Sequence, residues 1–314
     1  MIISIGEILV DMIGFQKDGI TSYNAYAGGA PYNVACGIAK LNGNIAFLGK
    51  VGDDLQGEFL NNHYSLQKFK TNYLIKDKKH NTTLAFVKID DNGERDFCFH
   101  RIGTADYQFE DSDINYELIN QFDIIHVGSL MISEAKGMKF AKKVFNLAKQ
   151  CSKLVSFDVN FRSDIFKNRE EAIKKYLYFI KRADIVKYSE EELFMFAGDD
   201  NLKRALKKVA KPHQLVCVTL GSKGSAYYLD GIYNVTNSIS INPIDTTGAG
   251  DAFFAGVLSC LDNIKFSDLN ESKLDEIFTF ANVCGALTTL NYGAIDAFPK
   301  IDMINEALKN VVKR

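Results

Sequence analysis

Asn242-Pro243-Ile244-Asp245-Thr246-Thr247-Gly248-Ala249-Gly250-Asp251, followed by the apolar run Ala252-Phe253-Phe254-Ala255-Gly256-Val257-Leu258, is the stretch on which the fold turns. Small residues at 248 to 250 let backbone N–H groups approach a ligand closely, and the run behind them reads as a buried helix. The N-terminus of that helix is then an anion site, because unpaired N–H donors and the positive end of the helix dipole converge there, which suits phosphate. Asp251, in the first helical turn, reads in two ways. As a local device it complements the dipole, with Thr246 or Thr247 as a cap. As chemistry, a carboxylate beside bound phosphate is a general base for an incoming hydroxyl, the geometry a kinase needs.

Three further clusters lie elsewhere in the chain. Thr219-Leu220-Gly221-Ser222-Lys223-Gly224-Ser225 follows an apolar run and reads either as a glycine-rich turn between two strands or as a loop for nucleotide phosphate. The P-loop pattern GxxxxGK[ST] is absent and no GxGxxG follows the first strand, so neither a P-loop NTPase nor a standard nicotinamide reductase is supported. Gly28-Gly29-Ala30-Pro31-Tyr32-Asn33-Val34-Ala35 leads into helix-like Cys36-Gly37-Ile38-Ala39-Lys40-Leu41. Paired glycines admit a ligand to the backbone and Asn33 offers both donor and acceptor, as a polyhydroxylated ligand requires; a loop and helix cap is the plainer reading. Ser156-Phe157-Asp158-Val159-Asn160-Phe161-Arg162 ends an apolar run with three polar groups two residues apart, a regularity that points to a site at a strand exit.

Short apolar runs bounded by polar turns recur at 45–51, 124–127, 154–157, 185–186 and 215–220, with helical periodicity between them, as in 141–148 and 171–177. This alternation predicts βαβ units and a mainly parallel sheet covered on both faces, with ligands beyond the carboxyl ends of the strands. Two stretches break the rhythm. Thr83 to Ile89, Asp91-Asn92-Gly93-Glu94 and Arg95 to Arg101 read as two strands joined by an Asn-Gly turn, with Phe97, Phe99 and Arg101 on one face. Met12 to Ala27 is too short and polar for a βα unit and is expected to pair with that hairpin. A small β-sheet lid over about residues 12–27 and 83–104 follows.

The 314 residues suggest two domains at about 150 each, yet four prolines and no Gly/Ser/Pro-rich stretch leave no linker to divide them. One α/β domain over residues 1–314, with the lid looped out of it twice, reconciles the two. Hydrophobic residues at 46 % and charged residues at 24 % exclude disorder, collagen and coiled coil. Lys plus Arg is 37 against 39 for Asp plus Glu, so no whole-chain electrostatic argument favours nucleic acid or an anionic membrane as partner. The six cysteines form no CxxC pair and sit mostly in runs such as Leu215-Val216-Cys217-Val218; reduced core residues are expected, with neither a disulfide framework nor a zinc site. No apolar run approaches the roughly 18 residues of a membrane span. Met1-Ile2-Ile3-Ser4-Ile5-Gly6-Glu7 reads as a strand rather than a signal peptide, and a cytoplasmic protein is expected.

Taken in order, Gly6-Glu7-Ile8-Leu9-Val10-Asp11, Gly28-Gly29-Ala30-Pro31 with Asn33-Val34-Ala35, Gly49-Lys50-Val51-Gly52-Asp53-Asp54, Gly93-Glu94-Arg95 with Arg101, Asp158 with Asn160 and Arg162, Asp184-Ile185-Val186-Lys187, and Asp245 to Phe253 resemble the ribokinase-like (PfkB) family of sugar kinases. The resemblance runs nearly the whole chain, comes nearest to the bacterial fructokinases, and is most specific in its last segment. It implies a three-layer α/β/α core with a small β-sheet lid, and ATP-dependent phosphorylation of a sugar hydroxyl, fructose to fructose 6-phosphate. By that resemblance Asp251 is the catalytic base, and the N–H groups of Gly248, Ala249 and Gly250 are the anion hole. Asp11, Gly28, Gly29 and Asn33 hold sugar hydroxyls, while Arg101 from the lid and Asp158, Asn160 and Arg162 line the same pocket. Lys187, Ser189, Glu192, Thr219, Gly221, Ser222, Gly224 and Asn282 fall on the nucleotide side, Glu192 acting on Mg²⁺ through water. Asp245 and Thr247, with Gly293 nearby, match a loop for a monovalent cation such as K⁺, and the lid edge is one that relatives use to form homodimers.

Three positions depart from the family pattern: Ser189 where many relatives have Asn, Tyr32 where a small or amide residue is common, and Val159 in place of Pro. The first two imply altered nucleotide contact and sugar fit. The nearest alternative is a 2-keto-3-deoxygluconate kinase, whose arginine in the Asp158, Asn160 and Arg162 pattern meets a carboxylate, although Ala105-Asp106 after Arg101 looks more like the fructokinase pattern. A non-catalytic sugar or nucleotide sensor is the alternative from another class; such proteins usually lose the base or the glycine loop, and both are intact here.

Overall fold

Ile2–Ile5 (β1) is buried at all its positions, as a strand must be when both faces of its sheet are covered. In the computed structural model, which describes residues 1–17, 19–89, 95–162, 165, 166 and 168–311, this strand lies inside a nine-stranded sheet. The order is β13 (Ile232–Thr236), β12 (Ser225–Leu229), β11 (Leu215–Thr219), β10 (Ile185–Ser189), β9 (Leu154–Asp158), β8 (Ile124–Val127), β1, β4 (Ile45–Gly52) and β5 (Asn72–Asp77). From β11 to β5 all neighbours are parallel, and β12 and β13 add an antiparallel edge. The mainly parallel sheet read from the alternation of runs is therefore present.

Between the strands run α1 (Ala30–Lys40), α2 (Leu55–Ser65), α3 (Tyr116–Asn120), α4 (Ala135–Gln150), α5 (Arg169–Ile180), α6 (Glu190–Ala197) and α7 (Leu202–Val209); α8 (Ala249–Leu261), α9 (Glu271–Thr288) and α10 (Ile301–Val311) follow. The pleat sends successive residues to opposite faces. Ile2, Ile45, Ile124, Ile185 and Leu215 pack with Val34, Phe254 and Phe278 of α1, α8 and α9. Their chain neighbours Ile3, Ala46, Ile125, Val186 and Val216 pack with Phe140, Val144, Phe179 and Leu193 of α4, α5 and α6. Two helical layers thus enclose one sheet, and the expected helical stretches 141–148 and 171–177 fall inside α4 and α5.

The lid is a second sheet in the order β3 (Ile20–Gly28), β2 (Leu9–Lys17), β6 (Leu84–Ile89), β7 (Arg95–His100). The early segment does pair with the later hairpin: β2 runs parallel to β6, with Asp11 opposite Ala85, and β6 runs antiparallel to β7. Both early strands are longer than the expected 12–27, reaching back to Leu9 and forward to Gly28. The lid therefore joins the core directly at the start of α1. The Asn-Gly turn at 91–94 and the side chain of Phe97 lie outside the described residues.

Candidate active site

The start of α8 is built by a carboxylate. Asp245 Oδ1 accepts from the Thr247 N–H (3.0 Å) and hydroxyl (2.6 Å), and Oδ2 accepts from the Gly293 N–H (2.9 Å). Gly248 then takes φ 73°, a left-handed conformation that costs glycine nothing, and the helix begins at Ala249 with no side chain capping it. The Ala249 N–H turns back onto the Thr246 carbonyl at 3.3 Å, so among the three expected anion-hole donors it already has a partner.

Asp251 sits in the first turn of α8, and its Oδ2 accepts from Asn33 Nδ2 of α1 at 2.8 Å. Burial pushes its carboxyl above the ordinary aspartate range, while Lys187, the Asn33 bond and Arg162 pull the other way. A carboxylate made more basic is suited to take a proton from a hydroxyl.

Two cavities meet at this helix start. One of 320 Å³ is lined by Asp11, Gly29, Asn33, Asn160 and Arg162, together with Asp251. The other, of 440 Å³, is lined by Thr219, Gly221, Ser222, Gly224 and Asn282. Thr246 and Gly250 border both. The glycine-rich turn at 219–225 is thus a turn between antiparallel strands and also a cavity wall, so its two readings are compatible.

The family model for pfkB family carbohydrate kinases matches residues 1–301. The chain belongs to that family. It is 35 % identical to "Probable fructokinase-6, chloroplastic" of Arabidopsis thaliana over 99 % of this chain and 83 % of that protein. Among solved structures it is similar to a fructokinase of Xylella fastidiosa with bound ATP (TM-score 0.90, 26 % identity, 99 % and 98 % of the two chains). It is also similar to a fructokinase of Vibrio cholerae O395 in a fructose-, ADP- and calcium-bound form (TM-score 0.87, 32 % identity, 97 % of each chain).

Within this pfkB-family chain several expected site residues do other work. Arg101 borders a separate cavity with Asp54, Asn81 and Thr82; its Nε donates to Asp106 Oδ2 and its Nη1 to Ser133 Oγ, both at 2.7 Å, and its guanidinium lies over the Tyr107 ring. It braces the root of the lid. Gly28 pairs with Leu9 inside the lid sheet. Asp158 lines neither cavity and instead holds Lys187, which borders the 320 Å³ cavity rather than the 440 Å³ one. Ser189 and Glu192 form a capping box: Ser189 Oγ accepts from the Glu192 N–H at 3.2 Å and Glu192 Oε2 from the Ser189 N–H at 2.7 Å. Its other oxygen, Oε1, accepts from the Phe161 N–H at 2.6 Å. The S-x-x-E spacing at 189–192 carried that signal in the sequence.

Tyr32 does not line the cavity that holds Asp251. It is fully buried beside Phe47, Tyr64 and Phe69, with its hydroxyl 2.8 Å from His63 Nδ1. Neighbours in a helix point about 100° apart, so Asn33 faces the cavity while Tyr32 enters the core. Glu7, without an expected role, also borders the cavity that holds Asp251, and burial pushes its carboxyl up to about 8. Among the described residues no group of three His, Cys, Asp or Glu is placed to cage a metal. Both Glu192 oxygens accept backbone N–H groups and Glu192 borders neither cavity, so a Mg²⁺ ion here would have to arrive hydrated on nucleotide phosphates, the usual habit of that ion.

Proposed function

We propose that the protein is an ATP-dependent fructokinase that transfers the γ-phosphoryl group of ATP to a hydroxyl of fructose, giving fructose 6-phosphate and ADP. The observation that carries this reading is Asp251: a half-buried carboxylate, held by Asn33, at an uncapped helix start where two cavities meet. Sugar enters beside Asp11, Asn33, Asn160 and Arg162; the nucleotide lies along Thr219, Gly221, Ser222, Gly224 and Asn282. Asp251 takes the hydroxyl proton as the new O–P bond forms and the bond to the β-phosphate oxygen breaks. The first turn of α8 stabilises the charge on the group in flight. The lid excludes water, which would otherwise accept the phosphoryl group. Fructose is favoured as acceptor by the likeness to proteins named fructokinase, one of them in a fructose-bound form.

Glu192 is the residue that would hold a hydrated Mg²⁺ through water, and the ion would supply charge neutralisation at the phosphate oxygens. A monovalent cation such as K⁺ belongs to the loop that Asp245, Thr247 and Gly293 close. The two sheets belong to one discontinuous unit, core plus lid. A homodimer through the lid is favoured by Phe15, Ile20 and Tyr23, which stand 43 %, 66 % and 47 % exposed on β2 and β3. A cytoplasmic setting agrees with six free cysteines, and no helix among the described residues is long and apolar enough to cross a membrane.

A coupled ADP-release assay across fructose, 2-keto-3-deoxygluconate, ribose and nucleosides tests the reading, with turnover on fructose expected. Activity confined to the keto acid would place Arg162 on a carboxylate and refute fructokinase. Asp251→Asn should lower kcat by roughly 10² to 10⁴ while both ligands still bind; wild-type turnover in that variant sinks the mechanism.

A further inference from the structure

We infer that Lys187 is a phosphoryl-binding catalytic residue, acting beside the start of α8, and that Asp158 is the positioning residue that aims it. The inference rests on the kinase reading above. Lys187 lies on β10 directly opposite Asp158 on β9, and its Nζ donates to both Asp158 oxygens at 3.0 Å. An ammonium has three donors, so this two-point grip fixes its direction and leaves one for a ligand. Lys187 is only 8 % exposed, yet it borders the sugar-side cavity that holds Asp251.

Its location is electrostatically odd for a purely structural pair. Nζ lies 3.2 Å from where a Cβ on Gly250 would stand, so the glycine admits a buried ammonium to the first turn of α8. A cation at a helix N-terminus is opposed by the dipole, and a buried ion pair gains stability only with good compensation. Asp158 is the largest source of it, with Glu192 and Asp251 adding to the field. The placement becomes favourable when an anion occupies the cavity between Lys187 and the helix start, which is where the phosphoryl group passes on its way to the sugar. There Lys187 also screens the ionised Asp251 from the incoming negative charge, consistent with its pull on that carboxyl. Asp158 does not border the cavity and acts through Lys187.

The test compares Lys187→Met, Lys187→Arg, Asp158→Asn and the double variant Lys187→Met with Asp158→Asn, which leaves no unpaired buried charge and so separates catalysis from misfolding. The readouts are kcat, the KM for fructose, and affinity for ADP alone against ADP with aluminium fluoride in the presence of fructose. In the double variant kcat should fall about 10² to 10³, the loss typical of one transition-state donor. Fructose KM and ADP affinity should hardly move, the extra affinity for ADP with aluminium fluoride should disappear, and Lys187→Arg should recover part of both. Asp158→Asn should lose kcat without losing fructose affinity. If ADP affinity falls in step with kcat, Lys187 is a nucleotide-binding residue and the inference is overturned. Retained kcat with retained fluoride-dependent affinity overturns it equally. Failure of the kinase reading looks different, since the wild-type protein itself would then turn over no sugar.

Discussion

Asn33→Leu keeps the size of the side chain and removes the one bond that ties α1 to the base. Asn33 Nδ2 donates to Asp251 Oδ2 at 2.8 Å, and that bond is among the influences that hold the Asp251 carboxyl down against burial. Without it the carboxyl rises further. The base works only when ionised, so activity is lost on the acid side and recovers as pH climbs. A hydrogen bond to a charged group is worth about 1.5–3 kcal/mol. At about 1.4 kcal/mol per factor of ten, kcat/KM should fall roughly ten- to a hundredfold on the acid limb, with the deficit shrinking toward the alkaline plateau. A second, pH-independent effect is expected on fructose KM, because Asn33 Oδ1 is buried without a partner among the described residues and its side chain borders the sugar cavity. The assay is coupled ADP release at saturating ATP, with kcat/KM for fructose followed from the acid limb onto the plateau. A deficit that stays flat with pH, or full activity at low pH, refutes the coupling between Asn33 and Asp251.

Other perturbations probe the frame around the site. At Gly37 a Cβ would lie 2.7 Å from the Ala255 Cβ where α1 crosses α8, so Gly37→Ala should cost about 1–3 kcal/mol of stability, read as a lower urea midpoint; an unchanged midpoint would mean the two helices can part freely. His126 is fully buried, its Nδ1 2.8 Å from Ser156 Oγ, and burial pushes it down to about 3. In the unfolded chain the same ring takes a proton below about 6.5, so stability is lost as pH falls through that window, at about 1.4 kcal/mol per pH unit, and is unaffected above it. His126→Gln should flatten this slope in acid denaturation followed by circular dichroism, and an unaltered slope would assign it to other groups.

The sheet was legible because its strands are buried on both faces and read as continuous apolar runs; β8 coincides with the expected 124–127. The apolar run marks only 185–186 of β10, which extends to Ser189, because the charge of Lys187 interrupts it. Asp251, Asn33 and the glycine loops were visible as polar or small residues at strand exits and helix starts. The same pattern could not tell which polar side chain at an exit faces the cavity. Asp158 turns to Lys187, and Arg101 to Asp106 and Ser133, through contacts that only the assembled fold creates. Tyr32 and Asn33 are chain neighbours with opposite fates, separated by the helical turn and not by residue type.

Thr246 and Gly250, the two residues that border both cavities, have a consequence for inhibitor chemistry. A nucleoside phosphate and a polyol joined by a short bridge would have only a threonine and a glycine to pass, and glycine presents no side chain to block the way. The bridge would occupy the path of the group in transit. Tethering then makes binding of the second half intramolecular, so affinities that are modest for each half combine through effective concentration.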